Sequence, residues 1–148
     1  MKTLPLLIVL LLVAPGTLAQ SVSPTLQQEH IEENVPAQDV FVSYLERDLL
    51  AYFKANVSAN AISVKATLLR QEATQSGVAY PKFYVWVQAL GPKGLIAEGA
   101  ARVAAIDRQE FDVTHFISSA DILASPDTLT SVFPATLASP IMARAAGR

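Results

Sequence analysis

Lys82-Phe83-Tyr84-Val85-Trp86-Val87-Gln88-Ala89-Leu90 is the stretch on which the fold turns. Phe83, Val85, Val87 and Ala89 alternate with Tyr84, Trp86 and Gln88. A period of two rich in aromatic and β-branched residues is a strand with two packed faces. Gly91-Pro92-Lys93-Gly94 follows as a tight turn. Leu95 to Ile106 then reads as the returning strand. Its alanines would also suit a helix, but Gly99 sits mid-segment, the turn before it is short, and the preceding strand needs a partner. Gly99, Ala100 and Ala101 are small enough for a helix to approach the sheet closely.

Two further strands flank this hairpin. Downstream, Asp107 to Glu110 is a charged turn, and Phe111 to Ile117 alternates with Phe111, Val113, His115 and Ile117 on one side. Upstream, Ala61 to Arg70 carries Ile62, Val64, Thr67 and Leu68 before the polar loop Gln71 to Gly77. Before these lies a helix. Pro36 suits the first helical position, where its missing N–H has no partner to lose. Asp39 lies near the positive end of the helix dipole. Phe41, Tyr44, Leu45, Leu49, Tyr52 and Phe53 recur at three- and four-residue spacing up to Asn56.

The C-terminal part changes character. Ser125-Pro126-Asp127 is a helix start, and Leu129, Val132, Phe133, Leu137 and Ile141 recur at helical spacing. Pro134 and Pro140 break the run, and Ser139-Pro140 repeats the start signal, so two short helical pieces are expected. The sum is an α+β domain over residues 36–148. An N-terminal helix packs on a three- to four-stranded antiparallel sheet, followed by short C-terminal helices. The element order resembles that of cystatins and of the nuclear-transport-factor-like folds, where a sheet wraps a helix. The inhibitory Gln-x-Val-x-Gly of cystatins is not matched by Gln88-Ala89-Leu90-Gly91, so no family is assigned.

Residues 1–19 read as a secretory signal peptide. Lys2 is the positive start, Leu4 to Val13 the apolar run, and Thr17-Leu18-Ala19 the small-residue cleavage site. That run is about ten residues, short of the roughly 20 that span a bilayer. The expectation is therefore an exported chain, periplasmic or extracellular, with no stable membrane anchor. Residues 20–35 are polar and read as a mobile lead-in. There Glu29, His30, Glu32 and Glu33 are a solvated acidic cluster rather than a metal site, because metal ligands need fixed geometry and outer support.

Composition narrows the function. The chain has no Cys, so neither a thiol nucleophile nor disulfide stapling is available. Lys and Arg are scattered singly along a slightly acidic sequence, which argues against nucleic acid and anionic membrane surfaces. No Gly-rich phosphate loop stands at a strand-to-helix junction. Asp112 and His115 invite comparison with a carboxylate–imidazole pair, but residues three apart on a regular strand point to opposite faces. No catalytic residue, metal or cofactor is assigned.

Two functional expectations remain. The first is a non-catalytic binding or assembly-accessory module of the cell envelope. Its contact residues would be Tyr84 and Trp86, with Phe133 and Leu137 from the C-terminal segment, provided that segment leaves the Tyr84/Trp86 face open. Its partner would be another envelope or secreted protein, and an open edge strand would also permit self-association. The second is a small-ligand or enzymatic pocket between helix and sheet, lined by residues such as Tyr44, Tyr52 and Phe83.

Overall fold

The computed structural model describes residues 24–77 and 79–148, so the expected signal segment, residues 1–19, lies outside the described residues. The elements run α1 (Pro24–Asn34), α2 (Gln38–Asn56), β1 (Ser63–Leu68), β2 (Lys82–Gly91), β3 (Gly94–Ile106), β4 (Glu110–Ser118), α3 (Ser119–Ala124), α4 (Thr128–Val132) and α5 (Ala135–Ala145). The strands form one antiparallel sheet in the order β1-β2-β3-β4. The architecture is α+β, as the alternation around Trp86 requires.

α2 lies on one sheet face. Leu45, Leu49 and Phe53 are buried against Phe83, Val85, Val87 and Ala89 of β2 and Ala101, Val103 and Ala105 of β3. Phe41 meets Phe83 and Phe111 edge-on, each at 4.9 Å between ring centres, and Phe53 meets Phe116 at 4.8 Å. Asp39 in the first turn and Lys54 in the last complement the helix dipole. The helix begins at Gln38 rather than Pro36. Ala37 is its cap residue, and Pro36 is buried just before it.

The opposite face is covered by the C-terminal helices. Ser118 ends β4 and caps α3 through its hydroxyl, which accepts the Asp121 N–H at 3.2 Å. This short helix has no counterpart in the sequence reading, because Phe111 to Ile117 runs into it without a break. α4 then begins at Thr128, with Ser125 and Pro126 forming the turn before it. Pro134 separates α4 from α5 as expected, but Pro140 lies inside α5. Its ring is exposed, and the Thr136 carbonyl left without a helical donor sits at an exposed residue where water can reach it.

Two other differences concern the ends of the sheet. The lead-in contains helix α1 from Pro24 to Asn34, which closes on the domain through the buried Asn34. In β4, the register shifts between Arg102/Val103 of β3, leaving Thr114 as an extra residue. The alternation therefore changes phase. Phe111, Val113 and Phe116 belong to the α2 side, while His115 and Ile117 lie on the other. Sequence periodicity alone had placed Val113 and His115 together.

Candidate functional site

Tyr84, Trp86, Phe133 and Leu137 do come together, but as a core. Their exposures are 5%, 6%, 3% and 6%, and they pack with Ala100, Ile122, Leu129 and Ile141. Tyr84 and Phe133 have ring centres 5.9 Å apart. The C-terminal helices thus close the face whose openness the contact reading required. These four side chains meet one another rather than solvent.

The covered face continues into a polar corner. Cross-strand partners share a face, and the register sets Tyr84, Arg102 and His115 in one row and Lys82, Ala104 and Asp112 in the next. The bulge at Thr114 is what brings Asp112 and His115 to the same face, correcting the opposite-face inference drawn from regular alternation. They do not form a catalytic pair. Arg102 donates from Nε to the Thr114 hydroxyl at 3.0 Å, from one terminal nitrogen to the Val132 carbonyl at 3.2 Å, and from the other to His115 Nδ1 at 2.8 Å. A guanidinium only donates, so Nδ1 is the acceptor and the His115 proton sits on Nε2. Burial and the Arg102 charge together hold His115 below its ordinary pKa. Lys82 is also lowered, by burial first and then by Arg102, with Asp112 opposing. The corner ties α4 to the sheet through the Val132 carbonyl.

Open space lies elsewhere, where α1 and α2 meet beside the β1–β2 connection. One cleft of about 450 Å³ is lined by Val35, Pro36, Gln38, Phe41, Val42, Leu68, Gln71 and Phe83. A second of about 470 Å³ adds Gln28, Ile31, Glu72 and Ala73 and shares Val35, Gln71 and Phe83 with the first. The two clefts adjoin at these three residues. Val42, 56% exposed, stands at the rim. Of the residues expected to line a helix–sheet pocket, Phe83 does. Tyr44 instead lies beneath the Arg47 guanidinium at 4.6 Å, and Tyr52 packs edge-on to Phe53.

The groove wall formed by the connection is fixed by main-chain pairing. Thr74 and Lys82 exchange both hydrogen bonds, at 2.8 and 2.9 Å, and the Thr74 hydroxyl bonds the Tyr84 hydroxyl at 2.7 Å. Tyr84 therefore joins the second core by its ring and the groove wall by its oxygen. Sequence pattern marked Phe83 and Phe41 as core. The groove depends on how α1 and the connection flank them, a tertiary arrangement with no local signature.

Among the described residues no three His, Asp or Glu side chains are grouped as metal ligands, and no helix is long and apolar enough to cross a membrane. No family model matches the chain, and no curated protein or solved structure is significantly similar to it.

Proposed function

We propose that the protein is an exported, non-catalytic binding module that holds an extended apolar segment of another envelope or secreted protein in the groove around Phe83. The observation that carries this reading is that the two clefts lie side by side and share Val35, Gln71 and Phe83 as lining. Two adjoining, solvent-open clefts with mixed apolar and polar walls suit a chain segment. A small metabolite is usually enclosed over most of its surface. The sequence of residues 1–19 supports export to a periplasm or the exterior. The reading involves no reaction step, because His115 Nδ1 is engaged by Arg102 rather than oriented by a carboxylate.

The test is affinity capture of the exported chain from its own compartment, with a photo-crosslinking residue at Val42. A protein crosslinked through Val42, and lost with Val42→Asp in a still-folded chain, establishes the groove as the contact. Tyr84→Phe, which removes the bond to Thr74, should weaken capture without abolishing it. A small ligand, the second reading, would instead raise the melting temperature in a metabolite screen. The combination of such a shift with no crosslinked protein would replace the segment by a metabolite.

A further inference from the structure

A second surface stands at the other end of α2, which at 19 residues places its termini about 28 Å apart. There the α2 end and the β2–β3 turn enclose a cleft of about 420 Å³ lined in part by Ser58, Asn60 and Gly91 through Ile96. Large aliphatic side chains stand exposed at this end, Leu95 among the cleft's lining. Leu90 and Leu95 are direct cross-strand partners, 37% and 54% exposed. Ile62, 59% exposed, donates its N–H to the Leu90 carbonyl, and Val57, 42% exposed, caps α2. Four of the eight exposed large hydrophobic residues in the described chain stand at this end.

The charge here is one-sided. Residues 49–65 and 86–97 contain Lys54, Lys65 and Lys93 and no Asp or Glu. Glu98, just beyond, is hydrogen-bonded by the Gln88 amide at 3.2 Å. The acidic residues Glu29, Glu32 and Glu33 lie instead on α1, grouped around Arg108 of the opposite turn. Lys54 in the last turn of α2 and Lys93 in the cleft lining thus stand at this end.

We propose that this end docks peripherally on an anionic lipid bilayer, with Leu90, Leu95, Ile62 and Val57 entering the headgroup boundary and Lys54 and Lys93 meeting lipid phosphates. Aliphatic insertion and lysine attraction act together at such a surface. The acidic pole turns away from it, which orients the molecule. This surface shares no lining residue with the groove.

The test is co-sedimentation of the purified protein with vesicles of mixed phosphatidylcholine and phosphatidylglycerol, against vesicles of phosphatidylcholine alone. Binding is expected only with the acidic lipid and should weaken as salt rises. Lys54→Gln with Lys93→Gln should weaken it about 25-fold, roughly fivefold per lysine. Leu90→Asn with Leu95→Asn should abolish it. All four side chains are exposed, and circular dichroism confirms that each variant is folded. Val42→Asp, in the groove, should leave vesicle binding unchanged. Absence of binding to the acidic vesicles overturns the proposal, as does binding that survives both double variants. A dimer that the Leu90/Leu95 variant dissociates, without vesicle binding, overturns it in favour of a second copy at this end.

Discussion

The side-chain oxygen of Asn34 accepts the N–H of Asp107 at 3.2 Å, while its main-chain carbonyl accepts that of Arg108 at 2.9 Å. Asp107 and Arg108 carry the β3–β4 turn at φ 49° and 62°, the left-handed region that ordinary side chains disfavour. The buried end of α1 thus holds a strained turn. From α2, Arg47 donates to the Gln109 carbonyl at 2.6 Å and Asp48 accepts the Phe111 N–H at 2.7 Å.

Asn34→Ala should therefore destabilise the protein by about 1–2 kcal/mol, the effect of leaving a partly buried N–H without its acceptor. Arg108→Gly should act in the other direction, by roughly 0.5–1 kcal/mol, because glycine relieves the positive φ. Urea denaturation of the two variants measures both. Equal stabilities for Asn34→Ala and the parent chain would show that α1 does not support the turn.

A β-carbon at Gly99 would collide with the Ile117 carbonyl oxygen and lie 2.8 Å from the Ser118 α-carbon. Both obstacles are backbone, at the junction where β4 becomes α3, and cannot move aside as a side chain would. Gly99→Ala is expected to cost about 3 kcal/mol or more. The midpoint of chemical denaturation reads it directly, and Ala100→Gly serves as the comparison one residue along.

Gly99 also marks the border between what the sequence discloses and what it withholds. Its smallness predicts a close neighbour, read from the sequence as a helix, and at Gly99 the neighbour is instead the end of β4. The alternation through Trp86, the Gly91–Gly94 turn and the Phe41–Phe53 stripe are local signals, so the strands and α2 fall close to where periodicity places them. Thr114 defeats the same logic. One bulged residue reverses the faces of everything after it, and no local propensity announces it. α1 lacks an apolar stripe, and its tie to the domain is one buried asparagine contacting a turn distant in sequence. The Tyr84/Trp86 face is legible as apolar on both sides of β2. Whether a partner or its own C-terminus covers it is a tertiary question that α4 and α5 answer.

That cover has a direct optical readout, since Trp86 is the only tryptophan of the chain. At 6% exposure it should emit at short wavelength and resist acrylamide. Leu137→Ala, on the buried face of α5, should cost about 2–4 kcal/mol through the cavity it opens. A red-shifted, readily quenched Trp86 in the folded parent chain would mean that the helices do not stay closed, restoring this face as a contact surface.

The Arg102–His115 contact makes the attachment of α4 sensitive to acid. His115 accepts from Arg102 through Nδ1, so protonation there removes the acceptor and sets two cations together. The folded protein consequently binds this proton less readily than the unfolded chain, whose histidine titrates near 6.5. Stability from this contact is complete above that value and is lost as pH falls through it toward the lower folded value. Because His115 is exposed and solvent screens the charges, the effect is small. Denaturation midpoints taken from about pH 7.5 down to about pH 5 should decline, and His115→Gln, which keeps an acceptor without a titrating group, should flatten part of that decline. Arg102→Gln should lower stability at every pH, because the bond to the Val132 carbonyl goes with it. If His115→Gln left the pH profile unchanged, the acid sensitivity would belong to the carboxylates alone.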